Sequence, residues 1–524
     1  MGASVQTIVK SFERLKSERA NFDSLYQDVT DLVMPNRADF TTRKAVGENR
    51  TKYVFKNTTK YAELLTSSIL GATSSSTVRW FELTSMNDKL KEDDACKEWF
   101  EAATEKVFEV LNSPVSNFGS QNHEVLLDWV TYGTGCMYIE EGFGDKVVRF
   151  RSYPISDIYI EEDFMGRVDT VYRAFKLTGR QALQQFEGVA ARSFIERAKG
   201  RPDDKMDFLH YVTPNVEDNT FPVKSYYICL STKEILSDGG YNEMPYMVPR
   251  WYKVSGEIYG RGPALSALPD IKMVNSMYMT LIQAGQKLAD PPLLVADDDT
   301  IRPLRMYPGG INYGGIDTNG RALVQPFPVS ANMPYTERMI AAVVQDIKEA
   351  FYVDQLLVLD APQMTATEVM TRQEERMRLL SPQLVRLQTE YFGLLVDRVF
   401  GILGRQGYLG GFPPKLHEYI TANGGDRVST VEYTGALARS QRAQQAQSLN
   451  RLIESLAPIL QFDPSSMDYI NTDETLKDHA DLIGFKQTLI RSDDEVAQIR
   501  QSRQQAQQAQ QMMEMATGGK GLGG

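Results

Sequence analysis

Between Tyr259 and Ile402 the apolar positions describe a path out and back. Ile271, Val274, Tyr278, Leu281, Ile282, Gly285 and Leu288 fall on one face of a helical period, with Lys272, Ser276, Gln283 and Lys287 opposite. Met339, Ile340, Val343, Val344, Ile347 and Phe351 repeat this division against Arg338, Gln345, Lys348 and Glu349. The outward segment follows Tyr259-Gly260-Arg261-Gly262-Pro263 and stops at Asp290-Pro291-Pro292. Pro263 suits a first turn; Pro269 lacks the ladder N–H and clashes with the carbonyl four residues earlier, so the long helix either kinks or starts there. From Pro269 to Asp290 it would run ~33 Å. The return is predicted from Pro334 to Asp354. Two helices that leave and re-enter one body form a stalk with little to bury itself against, which makes best sense when copies pack around an axis.

The tip, residues 291–334, holds seven prolines and five glycines around two strand-like pieces, Leu293–Ala296 and Ala322–Phe327. After Asp354, Gln355 to Gln363 is short and Pro-broken and reads as a loop. Thr365 with Glu368 forms a capping box that opens a third helix, kinked at Ser381-Pro382 and continuing through Leu384, Leu387, Tyr391, Leu394, Leu395 and Ile402 to a Gly404–Gly411 turn.

N-terminal to the stalk, helices are predicted at 5–34, 56–69, 93–111 and 121–130, with a turn at Gly71–Thr77 leading into a strand, Arg79–Thr84. From Gly133, alternation marks strands at 136–140, 147–153, 169–176, 224–230 and 247–252, with a short helix at 179–186 and a polar surface loop at 197–204. Beyond Pro414 the chain is polar, then strand-like at 428–433. Amphipathic helices follow near 449–459 and 476–490. Ser492 with Glu495 caps a Gln-rich helix, Gln498–Gln511, that lacks a core of its own and ends in Gly-rich sequence. The class is α+β, mainly α.

At 524 residues and 59.1 kDa several cores are expected. Hydrophobic residues at 42% and charged residues at 24% point to a globular chain, and no apolar run approaches the roughly 18 residues that span a bilayer. Met1-Gly2-Ala3-Ser4-Val5-Gln6 reads as neither a signal peptide nor a myristoylation site, so the chain is expected to stay in the compartment where it is made. Cys96, Cys136 and Cys229 have no paired spacing, and His123, His210, His417 and His479 form no ligand cluster. Net charge is −11, against the basic surface that grips phosphates tightly; its ordinary meaning is solubility.

Two Gly-x-Gly sequences invite a nucleotide reading, and neither fits. Gly133-Thr134-Gly135 precedes a strand rather than following one. Gly260-Arg261-Gly262 opens a helix without a preceding parallel strand or a Lys-Ser/Thr. There is no nucleophile elbow, His-Glu-x-x-His or phosphate-loop Lys. Asp297-Asp298-Asp299 lacks the spaced oxygen ligands of a calcium loop and reads as solvated surface, or as an acidic turn that meets a basic partner. No catalytic, cofactor-binding or metal-binding residue is assigned.

The order of elements resembles the portal proteins, or head-to-tail connectors, of short-tailed bacteriophages. The likeness is carried by Glu257-Ile258-Tyr259-Gly260-Arg261-Gly262-Pro263, Leu268-Pro269-Asp270-Ile271 and Asn275, then by Met364-Thr365-Ala366-Thr367-Glu368-Val369 and Arg372-Gln373-Glu374-Glu375. Arg79-Trp80-Phe81-Glu82-Leu83 and Tyr132-Gly133-Thr134-Gly135 fit the family's N-terminal part, and the likeness covers about residues 5–460.

The resemblance implies a wing (1–262 and 364–435), stem helices (263–290 and 334–352), a clip (291–333), a tunnel loop (353–363), a crown (436–491) and a C-terminal barrel helix with its tail (492–524). It implies a ring, usually of twelve subunits, at one vertex of the virion, assembled in the bacterial host cytoplasm. Double-stranded DNA would pass through the ring, driven by a separate ATP-dependent terminase, with no ATPase, cofactor or membrane insertion in the chain. Further partners would be the terminase large subunit, a tail adaptor, the major capsid protein, and scaffolding and internal ejection proteins. Lys272, Ser276, Gln283, Lys287, Arg338, Gln345 and Lys348 are the candidates to face the channel. Gln355, Leu356, Leu357, Val358, Leu359 and Asp360 would form the loop, and Asp297, Asp298, Asp299, Arg302 and Arg305 the clip's partner contact. In another class, the same chain reads as a ring-shaped nucleic-acid processing enzyme using scattered carboxylates.

Overall fold

The computed structural model describes residues 4–41, 55–91, 93–142, 147–215, 220–295, 319–326, 333–356, 379–422, 429–434 and 493–518, with positions 48, 311, 316, 471, 473, 475 and 476 between them. It begins with α1 (Val5–Leu32), whose N-cap Ser4 accepts a hydrogen bond from the Thr7 N–H at 3.2 Å. Next come α2 (Asn57–Thr73), β1 (Phe81–Ser85), α3 (Asp88–Lys91), α4 (Asp94–Asn112) and α5 (Phe118–Tyr132). The predicted turn at Gly71 lies inside the last turn of α2. Nothing approaches within 4 Å of where a Gly71 side chain would begin, so the glycine does not stop the helix.

The strands form two larger sheets. β2 (Met137–Glu141) pairs with β3 (Val148–Ser152) and with β9 (Tyr246–Met247). β4 (Ile158–Glu162), β5 (Val168–Thr178), β6 (Lys205–Pro214), β7 (Val223–Cys229) and β8 (Glu234–Tyr241) make a five-stranded antiparallel meander. Between β5 and β6, α6 (Gly179–Phe186) carries a capping box of Thr178 and Gln181, and α7 (Arg192–Gly200) follows.

Three strands, β4, β6 and β8, were not expected; for β4 and β6 the reason is continuous burial, while β8, with Leu236 alone buried, offers no apolar alternation to read. Both faces of the meander are covered. Ile8, Phe12 and Leu15 of α1 pack on Tyr159, Tyr172 and Leu209, while Phe186, Phe194 and Ala198 pack on Phe208 and Leu236. Burial is therefore continuous through Phe208, Leu209 and His210, and alternation disappears. The predicted loop at 197–204 is corrected for the same reason: its first residues end α7, which buries Phe194 and Ala198. The strand predicted at 247–252 shrinks to β9, because from Val248 the chain leaves the ladder.

The remainder is α8 (Pro263–Ser266), α9 (Leu268–Ala289), β10 (Leu293–Val295), β11 (Val324–Pro326), α10 (Met333–Ala350) and α11 (Val353–Leu356). After these come α12 (Ser381–Leu387), a π turn (Gln388–Phe392), α13 (Gly393–Arg405), α14 (Pro414–Ala422), β12 (Ser429–Tyr433) and α15 (Asp493–Gly518). β12 closes onto β1 in antiparallel register from Phe81↔Tyr433 to Ser85↔Ser429, so the far end of the sequence completes the N-terminal body.

Helix outweighs strand, and the largest core spans α1, α2, α4, α5, the three-stranded sheet, the feet of α9 and α10, and α12 to α13. Leu379 is helical, Leu380 is a turn and Ser381-Pro382 open α12, so the helix is interrupted beside Pro382 as expected, and a π turn follows at Gln388–Phe392. The polar stretch after Pro414 begins with α14. The opening of the third helix at Thr365, the helix expected near 449–459, all of the helix expected near 476–490 except Leu476, and the Ser492 cap lie outside the described residues.

Candidate functional site

The two predicted stalk helices are α9 and α10, and they pack together. Pro269 sits in the first turn of α9, so the long helix starts there. Burial along α9 is confined to its first two turns: Leu268, Ile271, Val274 and Asn275 are buried, whereas Met279, Ile282 and Leu288 are more than 40% exposed. On α10, Ile340, Val343 and Ile347 are buried and Tyr335 and Met339 are exposed. The outer half of the pair thus presents apolar side chains that this subunit does not cover. Just beyond it, β10 and β11 pair antiparallel from Leu293↔Pro326 to Val295↔Val324, close to the strand pieces expected at the tip.

The foot of α9 is fixed by the two Gly-x-Gly segments, which pack on each other. A Cβ at Gly262 would lie 2.5 Å from the Val130 carbonyl oxygen. One at Gly260 would collide with the Gly133 carbonyl oxygen, and one at Gly133 with the backbone N of Gly262. Gly133 also has φ +79°, which ends α5 in the left-handed region that glycine adopts without strain. The Gly260 N–H donates to Thr134 Oγ1 at 2.9 Å, and the Trp251 N–H donates to the Gly133 carbonyl at 2.8 Å. These glycines cradle backbone, not phosphate.

Alongside this crossing lies Arg250, 1% exposed. Its Nη2 donates to Glu390 Oε1 at 2.7 Å and to the Gly166 carbonyl at 2.9 Å, and its Nη1 pairs with Glu162 and the Ile258 carbonyl. The Arg250 backbone N–H adds a 3.0 Å bond to Glu390 Oε2. Burial opposes the guanidinium charge; Glu390 and Glu162 outweigh it and hold the pKa above its ordinary value. One side chain therefore joins β4, the β4–β5 turn, the approach to α8 and the π turn after α12. The π turn has two further anchors. Tyr433 donates to the Gln388 carbonyl at 2.7 Å, and Tyr391 donates to Asn122 Oδ1 at 2.8 Å.

Asn275 ties α9 to the start of α2, accepting from the Phe55 N–H at 3.1 Å and donating to the Ile271 carbonyl at 2.9 Å. At the same body end of the pair, α10 does not reach Asp354 as expected. Tyr352, φ +57°, breaks it after buried Phe351, and α11 then places Gln355 and Leu356 in a helical turn rather than a loop. The side chains of Phe351 and Tyr61 face each other at 6.4 Å, so this break rests on α2.

A family model described as bacteriophage head to tail connecting protein matches residues 5–490. The chain belongs to this head-to-tail connecting protein family. It is 27% identical over 511 residues to a protein named probable portal protein of Bordetella phage BPP-1, covering 94% of this chain and 90% of the relative. It is 26% identical over 513 residues to the portal protein of Salmonella phage epsilon15, with the same coverage of each chain.

Within this connector, the polar positions picked from the helical period lie as follows. Lys272, Ser276, Gln283, Lys287, Arg338 and Gln345 are exposed, and Lys348 is half-buried. Lys272 is ion-paired with Asp28 of α1 at 2.6 Å, which neutralises its charge within the subunit, and Gln345 donates to Asp354 at 2.5 Å. Leu357, Val358, Leu359 and Asp360 lie outside the described residues, as do Asp297, Asp298, Asp299, Arg302 and Arg305. Among the described residues no group of three or more His, Cys, Asp or Glu could hold a metal ion, and no helix is long and apolar enough to cross a membrane. Sequence reasoning missed Arg250, Glu390 and Tyr352. A lone Arg before Trp251 and a lone Glu in a helix carry no pattern; their meaning exists only once the chain has folded.

Proposed function

We propose that this head-to-tail connecting protein is the portal of its phage, a ring of subunits at one capsid vertex through which double-stranded DNA is packaged and later ejected. The observation that carries the reading is the family match across 5–490 on a chain that leaves its body along α9 and returns along α10. The apolar side chains on the outer half of that pair support it, since neighbours around an axis would bury them.

In this reading 1–262 and 364–435 form the wing, α9 and α10 the stem, 291–333 the clip and 353–363 the tunnel loop. Residues 436–491 are the crown, and α15 is a barrel helix made with its copies. Twelve copies at −11 each would give the channel neutral and acidic walls along which the DNA backbone slides without sticking. Lys287, Arg338 and Lys348 are the stem cations left to centre the duplex, while Lys272 is occupied by Asp28. The clip binds the terminase large subunit first and a tail adaptor afterwards, and the wing and crown meet the major capsid protein, scaffolding and internal ejection proteins. Neither relative's name describes an enzyme, and nothing favours the alternative of a ring-shaped nucleic-acid processing enzyme.

Deleting 355–361 tests the loop assignment. Rings of unchanged size are expected, with at least a tenfold loss of packaged DNA retained in heads. Failure of the variant to form rings would make the segment a packing element instead.

A further inference from the structure

His210, on β6, sits where the five-stranded sheet docks on the three-stranded one, and it is wholly buried. Its Nδ1 is 2.7 Å from the Tyr246 hydroxyl on β9, and its Nε2 is 2.9 Å from Ser225 Oγ on β7. The imidazole stacks on Tyr227 of β7, centroids 3.9 Å apart and planes 4° from parallel. Tyr138 of β2 and Tyr241 of β8 present their rings edge-on at 6.1 and 6.5 Å and share a hydrogen bond with each other at 3.1 Å.

Both ring nitrogens are therefore engaged with hydroxyls, and neither faces a carboxylate. The register of the meander sets Arg173 of β5 directly opposite His210. That guanidinium lies over Tyr153, 3.5 Å from the ring centroid, and over Phe175 at 4.2 Å. Glu140 acts on the phenols of Tyr138 and Tyr227. Among the described residues the charge that bears on the imidazole is Arg173's, of the same sign as the imidazolium.

We infer that His210 makes the contact between the two sheets acid-labile: the neutral ring bridges them, and the charge that a proton adds finds no counter-charge in the contact. A buried imidazolium would face a like charge directly across the strand pair, in a site whose remaining groups are neutral phenols and a serine. Burial, then Arg173, hold the folded-state pKa well below the ordinary 6.5. The sign follows: the separated sheets bind a proton below about pH 6.5 that the docked sheets refuse, so docking is full above that value and weakens as pH falls. While the docked ring stays neutral, each pH unit multiplies the opening equilibrium by about ten. Among the described residues His210 is the only buried histidine, His123 on α5 being half-buried and His417 exposed, so the opening is expected at the sheet contact and not in α2 and α5.

The test is hydrogen exchange of the full-length protein between pH 7 and 5, corrected for the intrinsic rate. The expected result is an opening constant for β6, β7 and β9 that rises about tenfold per pH unit below 6.5, with α2 and α5 unchanged. In the His210→Phe, Ser225→Ala, Tyr246→Phe triple variant, which replaces the polar bridge with apolar groups, that rise should disappear. The wild-type profile is decisive even where the variant misfolds. Opening constants for β6, β7 and β9 that stay level with pH, or that rise only together with those of α2 and α5, would overturn the inference. A folded triple variant that keeps the wild-type slope would overturn it too.

Discussion

Gly260→Ala is expected to cost about 3 kcal/mol or more of folding stability, measured as a fall in the urea midpoint with little change in slope. The added methyl group would meet the Gly133 carbonyl oxygen, and the Trp251 backbone N would stand only 2.9 Å away. Both neighbours are main chain. No side chain can swing aside, so relief requires the α5 terminus and the foot of α9 to part. Their separation would also break the Gly260 bond to Thr134 and the Trp251 bond to Gly133.

Gly133→Ala should do at least as much damage, because its φ of +79° adds backbone strain of ~1 kcal/mol to the collision. Gly71→Ala is the control. It lies exposed in the last turn of α2 with nothing within 4 Å of the new atom, and a stabilisation of up to about 1 kcal/mol is expected from helix propensity. Equal effects at positions 71 and 260 would mean that the crossing is looser than its geometry says.

Arg250→Met is the second large effect, expected at about 3 to 5 kcal/mol. The substitution keeps much of the side-chain volume but leaves Glu390 and Glu162 in a largely buried site without their main counter-charge. Lys253 remains on Glu162 at 2.5 Å, so the larger orphan is Glu390, whose remaining neighbour Arg386 stands 3.9 Å away. Adding Glu390→Gln to Arg250→Met should therefore recover about 1 to 3 kcal/mol rather than deepen the loss. Strict additivity of the two changes, read from denaturant midpoints, would show that the pair does not hold the π turn.

The stalk was legible because it is amphipathic. A helix half-sunk in a body and half outside it shows its period plainly, and the prolines at 263, 269, 291 and 292 mark where it starts and stops. Strands of the five-stranded sheet were harder. With α1 on one face and α6 and α7 on the other, Phe208, Leu209 and His210 are all buried, so no alternation survives to be read. The break at Tyr352 was hidden for a different reason. The left-handed region favours glycine, and a tyrosine gives no sign that it will be found there. That the two Gly-x-Gly motifs pack on each other depends on two segments more than a hundred residues apart, which no local pattern reports. Arg250 belongs with them, since it acquires its carboxylates from β4 and the π turn only in the fold.

On the proposed function the chain works as a ring. Native mass measurement of the purified full-length protein, with electron microscopy of the same sample, tests it most directly. Annular particles with a central channel and a mass about twelve times 59.1 kDa are expected. A protein that stays monomeric across micromolar concentrations, with no annular particles in the images, would contradict it.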